Sequence, residues 1–301
     1  MKGFALLKGV RVLTALAVFC LLAFVFLDFK EAAISNWAAH AALSTQFAPS
    51  LLRLLATGSL VMGAVFILFT LLALIFGRAY CSFVCPFGIL MDVLHRLSRL
   101  PARLPLLKKT NFAKGWGNFF KKPAYAAPKN YLRYGVLAVA VLLIAFGAAG
   151  LLGLLEPYSL FGKTMTGVFR PALIATVNTL SGWLYARDIY WLDPVGVEGS
   201  LVTAHAFLFG LFVFVGIAIA ASLRARVFCN TLCPVGAFLS VFSRYSLFKI
   251  RIDKSACIGC KKCERQCKAQ CIDSQNAAVD ASRCVLCFNC VAAADCPRDG
   301  I

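Results

Sequence analysis

Four apolar runs limit what this chain can fold into. Residues 54–76, 134–155 and 204–223 contain no Asp, Glu, Lys or Arg, and 12–27 follows a basic start with Lys2, Lys8 and Arg11. A membrane-spanning helix needs about 20 such residues, so the chain reads as four spans. Composition agrees: 60% of the 301 residues are hydrophobic and 15% charged, against about 45–50% and 25% in soluble domains. The first run also has the outline of a signal peptide. It continues to Phe29, however, and the small residues at 38–42 lie well beyond it, which favours a retained span.

The formal charge of +18 would suit nucleic acid, but its distribution argues for membrane topology. The N-terminal segment, the segment 78–133 and the segment from Arg224 onward hold 26 Lys and Arg; the other two loops hold 5. The positive-inside rule then places both termini and the middle loop in the cytoplasm. The middle loop, with Lys108, Lys109, Lys114, Lys121 and Lys122, could rest on anionic lipid or be a solvated connection. The outer loops are 28–53, with Trp37 and His40, and 156–203, with Trp183 and Trp191. Within the second, 164–180 is expected to form an amphipathic helix on the membrane surface.

Of fourteen cysteines, eight fall in two related runs, CIGCKKCERQC from Cys257 and CVLCFNCVAAADC from Cys284. Cys257, Cys260 and Cys263 match Cys284, Cys287 and Cys290 at an offset of 27; Cys267 matches Cys296 at 29. Thiolates at Cys-x-x-Cys-x-x-Cys spacing can wrap one cubic iron–sulfur cluster. A single Cys-x-x-Cys pair would fit zinc or a redox dithiol, whereas two complete runs favour two [4Fe-4S] clusters. Such thiolates persist in a reducing compartment, not as secreted disulfides. Cys271 aligns with Gly300, a place for a small buried residue. The expected division is a membrane domain over 1–250 and a cluster-binding domain over 251–301.

A second repeat lies at the ends of runs two and four. RAYCSFVCPFG and RVFCNTLCPVG place Arg78, Cys81, Cys85, Pro86, Gly88 and Arg96 in register with Arg226, Cys229, Cys233, Pro234, Gly236 and Arg244, at an offset of 148. Both runs cross in the same direction, which implies a pseudo-twofold axis along the membrane normal. Proline suits the first turn of a helix, so Cys85 and Cys233 would each stand at a helix N-terminus, where the dipole favours thiolate. Cys81, Cys85, Cys229 and Cys233 can then converge at the cytoplasmic surface. They could hold another iron–sulfur cluster, form disulfides or stay unligated. Cys20, alone in the first run, reads as lipid-facing or packing.

The C-terminal runs resemble bacterial two-cluster ferredoxins. That resemblance implies crossed ligation: Cys257, Cys260, Cys263 and Cys296 for one cluster, and Cys284, Cys287, Cys290 and Cys267 for the other. The chain departs from the pattern twice. Lys268 stands where the family has proline, and five residues instead of three precede Cys296.

Four spans, two Cys-x-x-x-Cys-Pro motifs and this module together resemble the NapH-type membrane ferredoxins, quinol dehydrogenase subunits that share a core with NosR-type and CcoG-type proteins. The resemblance implies an all-α four-helix membrane bundle with a small C-terminal α+β domain, in a bacterial cytoplasmic (inner) membrane. It implies a protein that passes electrons from the quinol pool to a further iron–sulfur or cytochrome subunit. A copper reductase or maturation factor and a redox-responsive regulator are the alternatives. For quinol, the sequence offers an inner site at Arg78 and Arg226 beside the four cysteines, and an outer site at Glu156, Arg170 and His205. The inner site has the shorter route to the clusters and is preferred.

Overall fold

The computed structural model describes residues 2–28, 43–100, 124–191, 193–195, 204–293 and 296. The basic stretch 108–122, Trp37, His40, Pro297, Gly300 and Ile301 lie outside these residues. The first repeat comprises α1 (Lys2–Leu27), α2 (Phe47–Thr57), α3 (Ala64–Phe76), the short α4 (Tyr80–Phe83) and α5 (Pro86–Leu97). The second comprises α6 (Asn130–Ala145), α7 (Ala149–Leu152), α8 (Pro157–Thr164), a π-helical turn (Met165–Phe169), α9 (Arg170–Tyr185), α10 (Ala204–Arg224), α11 (Val227–Thr231) and α12 (Pro234–Ser243). Beyond them come α13 (Lys262–Gln266), β1 (Ile272–Asp273), β2 (Ala278–Val279) and α14 (Asn289–Ala293).

Two segments, Ala5–Leu27 in α1 and His205–Arg224 in α10, are long and apolar enough to cross a membrane. Runs two and three are broken, contrary to the expectation of continuous spans. α2 stops at Gly58, whose left-handed backbone (φ 65°) turns its N–H back to the Leu54 carbonyl. α3 then has only 13 residues, or about 20 Å at 1.5 Å each, against a hydrocarbon core of about 30 Å. α6 has 16 residues, about 24 Å, and gives way at Gly147 (φ 73°). Glycine adopts these angles without the Cβ clash that other residues meet.

The breaks create two half-helices. α2 runs antiparallel to α3: Leu54 packs where Gly63 lacks a side chain, while Phe47 at the other end sits 5.8 Å from the Tyr80 ring. α8 runs antiparallel to α10, with Lys163 beside Gly210 and Gly167 beside Ala206. The expected helix over 164–180 is continuous with α8 through the π turn and α9, and of this path α8 and the π turn pack on α10. Both half-helices therefore begin toward the cysteine-motif end of the molecule and run away from it.

The two repeats interlock. α1 packs on α4 and α5, and α6 correspondingly packs on α11 and α12. α3 and α10 each cross over, α3 onto α12 and α10 onto α5. The C-terminal residues form an antiparallel hairpin, Ile272 opposite Val279 and Asp273 opposite Ala278, beside α13 and α14. α14 lies against α1.

Candidate functional site

The two cysteine motifs take up the same local structure. Cys81 and Cys229 sit in short helices; Cys85 and Cys233 are extended residues capping α5 and α12, each followed by proline. The Gly236 N–H donates to Cys233 Sγ at 3.2 Å, as expected where a helix start faces a sulfur. All four cysteines are buried.

The repeats are joined here by exchanged arginines. Arg78, from the first motif, donates to the Cys229 carbonyl at 2.7 Å and to Asn230 Oδ1 at 2.8 Å. Arg226, from the second, donates to the Cys81 carbonyl and clasps Asp92 through Nε (3.0 Å) and Nη2 (2.8 Å). Both side chains are fully buried. The matched glycines make room for them. A Cβ on Gly88 would lie 2.6 Å from the Cys81 carbonyl oxygen, with Arg226 Nη1 3.2 Å away. A Cβ on Gly236 would lie 2.4 Å from the Cys229 carbonyl oxygen and 2.5 Å from Arg78 Nη2. Arg78 Nη2 also approaches Cys81 Sγ at 4.0 Å, so one cation stands by sulfur from one motif and backbone from the other.

Asp92 is where the C-terminal residues join this centre. Its Oδ2 pairs with Arg11 at 2.8 Å, Arg226 at 2.8 Å and Lys268 at 3.0 Å. Burial alone would raise this carboxyl; Arg226, Lys268 and Arg11 hold it well below the usual carboxylate range. Further contacts fix the module in place. Asn230 Nδ2 donates to the Ala269 carbonyl at 2.9 Å, and Arg78 Nη1 reaches the Ser282 carbonyl at 3.3 Å. Arg133 Nη2 reaches Ser282 Oγ at 3.2 Å. On the other side the Tyr125 N–H donates to Glu264 Oε1 at 3.0 Å and Arg283 donates to the Ala126 carbonyl at 2.6 Å.

Within the module the 27-residue repeat is visible in the backbone. Gly259 and Lys261 in the first cysteine loop, and Leu286 and Phe288 in the second, all adopt left-handed angles between 49° and 65°. Such angles cost non-glycine residues roughly 1–2 kcal/mol each and persist where surrounding structure requires them. The requirement here is to bend each loop so that its three cysteines face a common centre. Cys267 is buried among Cys284, Cys287 and Cys290, all close enough for their charges to interact, while Cys257 and Cys260 face Cys263 in the same way. Cys296 is partly buried. Cys271, read from sequence as a small filler, is indeed buried, but its sulfur lies 3.5 Å from Cys267 Sγ and it also bonds Cys284.

Among the described residues, no three His, Cys, Asp or Glu side chains are gathered tightly enough to hold a single metal ion. A four-iron cube asks for something different. Each thiolate binds its own iron, so the sulfurs stand further apart than the ligands of one ion. The four buried motif cysteines at their helix starts, and Cys267, Cys287 and Cys290 buried beside the half-buried Cys284 on a strained loop, fit that demand; of the first run, Cys260 is exposed and Cys257 and Cys263 are half-buried.

The sequence grouped Glu156 with Arg170 and His205, and the structure separates Glu156 from His205. His205 is exposed at the start of α10, about 28 Å of helix from Arg224. Glu156 is buried at the start of α8, where its carboxylate accepts from the Tyr158 and Ser159 N–H groups at 3.0 and 2.6 Å. It lines the same cavity as Pro234 and Val235, the residues that follow Cys233. Arg78 and Arg226, preferred from sequence for quinol, have no exposed surface; both Nη groups of Arg78 and all three nitrogens of Arg226 donate to protein groups. Sequence reasoning missed Asp92. Its signal was a lone carboxylate in α5 where the repeat has Ser240.

Comparison with known proteins agrees with this assignment at the level of chemistry. The 4Fe-4S binding domain family matches residues 58–105 and 206–255, so each match contains one Cys-x-x-x-Cys-Pro motif. An uncharacterised protein of Methanocaldococcus jannaschii is 26% identical over 73% of this chain and 62% of its own length. The methylamine utilization ferredoxin-type protein MauN of Methylobacillus flagellatus is 28% identical over 64% of this chain and 48% of its own. The regulatory protein NosR of Pseudomonas aeruginosa is 24% identical over 75% of this chain and 25% of its own. The chain thus spans only part of the length of these relatives. No solved structure matches it. These relatives include ferredoxin-type proteins, and the matched family is a 4Fe-4S binding domain.

Proposed function

We propose that this protein is a multi-pass protein of a bacterial cytoplasmic membrane, with both termini in the cytoplasm, that takes electrons from quinol and passes them to a redox partner. The reading rests above all on Arg78. Its guanidinium stands between the buried sulfurs of the membrane-side motifs and the Ser282 carbonyl, two residues before Cys284. The four motif cysteines and the module are therefore neighbours, and electron transfer slows steeply with distance. In this reading Cys257, Cys260, Cys263 and Cys296 hold one [4Fe-4S] cluster, and Cys284, Cys287, Cys290 and Cys267 the second. Cys81, Cys85, Cys229 and Cys233 hold a third. Each cluster, when bound, takes up and releases one electron. The chain's own residues exclude water from the motif cysteines, fix the second module site beside them through Asp92 and Lys268, and offset thiolate charge with Arg78 and Arg226.

The test is anaerobic reduction in lipid nanodiscs. A short-tailed quinol should reduce the protein within the time of mixing, with loss of the visible iron–sulfur absorbance and appearance of cluster EPR signals. Protein that dithionite reduces and quinol does not would overturn the quinol reading and leave iron–sulfur binding intact.

A further inference from the structure

The two repeats enclose two pseudo-equivalent spaces, and the chain has filled one and left the other open. The filled space lies among α1, α5, α8 and α10. Phe161 occupies it, with Phe19 at 5.5 Å and Phe26 at 5.8 Å, and Tyr158 lies tilted against Phe26 at 5.5 Å. Its counterpart lies among α2, α3, α6 and α12 and is a cavity of about 260 Å³. Phe47, Phe66, Phe238 and Ala140 form apolar walls, and Glu156 is the one ionisable residue of the lining. Leu55 and Val141 at its rim are each 56% exposed, so the cavity opens on the apolar flank of the molecule and not on its charged end.

From these features we infer that this cavity binds the ring of a quinol, with Glu156 as the group that accepts its protons. The inference rests on the function proposed above and names the site of that reaction. The volume sits just under the ~300–1,000 Å³ usual for small-molecule sites. It suits one substituted ring whose tail leaves through the open flank. A purely capping Glu156 is the competing account. Caps are usually Ser, Thr, Asp or Asn, and each carboxylate oxygen keeps a second lone pair beyond the one used on α8. The residue before the other half-helix is Gln46, an amide that cannot act as a base and that accepts from Tyr80 Oη at 3.1 Å. Of the two residues that precede the half-helices, the carboxylate lines the open space.

Oxidation of one quinol to quinone releases two electrons and two protons. The electrons leave one at a time to iron–sulfur centres acting as one-electron acceptors, by way of the cavity wall at Pro234, the neighbour of Cys233. Each proton passes from a ring hydroxyl to the Glu156 carboxylate and then to water before the next leaves.

Photoaffinity labelling with an azido-quinone in nanodiscs tests the site without turnover. Label should map to 137–144 or 235–238, and Ala140→Phe should abolish it while dithionite still produces the wild-type EPR signals. Val141→Trp, at the rim, provides the same test if Ala140→Phe fails to fold. Glu156→Gln should keep the label and slow quinol-driven reduction by roughly 100-fold, the low end for loss of a general base. Labelling elsewhere, or quinol reduction undiminished in both blocked variants, overturns the cavity assignment alone. Wild-type protein that quinol never reduces overturns the proposed function, and the cavity assignment with it.

Discussion

Lys268 Nζ lies 3.0 Å from Asp92 Oδ2. Lys268 directly follows Cys267 and stands where two-cluster ferredoxins have proline, so a departure from that pattern has become the contact between the module and the helix after the first cysteine motif. The contact is an ion pair without an aligned hydrogen bond, since the lysine nitrogen has no hydrogen-bond partner. It shares Asp92 with two arginines, and one carboxylate therefore serves three buried cations.

That sharing makes Asp92 the most sensitive polar residue outside the cysteines. Asp92→Asn leaves Arg11, Arg226 and Lys268 buried without a counter-charge, and breaking a buried pair costs about 3–5 kcal/mol. The expected result is a large drop in melting temperature in detergent, together with faster protease release of the C-terminal residues. Lys268→Met, which removes one cation and leaves the carboxylate two partners, should release the module without the same loss of global stability.

Gly236 tests the arginine exchange. Gly236→Ala drives a methyl into the Cys229 carbonyl and the Arg78 guanidinium, and overpacking of this kind costs about 1–3 kcal/mol or more. Gly135, in α6, has nothing within 4 Å of its would-be Cβ. Gly135→Ala should be neutral or stabilising, by up to about 1 kcal/mol, because alanine is the better helix former. Thermal unfolding of the two variants side by side checks the pair, and equal tolerance would count against the packing described.

For the module, Cys267→Ser should remove about four of the irons bound by reconstituted protein, those of the second-run cluster. Cys271→Ala should keep the full iron content. Because the Cys271 thiol lies against two of the sulfurs, its loss should lower that cluster's reduction potential, in line with the influence of hydrogen bonds to cluster sulfur. Iron analysis and redox titration by EPR give both answers.

His95 supplies a pH dependence. It is buried in α5 with Nδ1 2.8 Å from the Ala221 carbonyl, and burial pushes its imidazole down to about 4. The unfolded chain binds this proton near pH 6.5, the folded chain only near 4. Between those values unfolding takes up a proton, so stability should fall as pH drops through that window and level off below it. His95→Gln should flatten that part of the curve. Asp92 works on a lower range: its depressed carboxyl supports the fold at neutral pH, and that support is lost only in stronger acid, below the ordinary carboxylate value.

Much of this protein is written locally in its sequence. The 27-residue cysteine repeat is legible in the sequence, and the left-handed residues at 259, 261, 286 and 288 repeat with it. The Cys-x-x-x-Cys-Pro motifs likewise set a helix cap and a first-turn proline wherever they occur. Apolar runs one and four are long helices, as their length and lack of charge require. Runs two and three read the same way and are not, because hydrophobicity is insensitive to a glycine that takes a left-handed angle, and Gly58 and Gly147 turn the chain there. What only the tertiary structure decided involves residues far apart in the chain. Arg78 and Arg226 read as candidates for an inner quinol site and are buried ties between repeats. Asp92 looked like an ordinary polar residue and joins α1, the start of α11 and the module. Glu156 groups in sequence with an outer site and stands in a cavity wall with Pro234. A carboxylate or guanidinium reads alike in sequence whether solvated or buried; the partners that settle the matter arrive only when the two repeats close on each other.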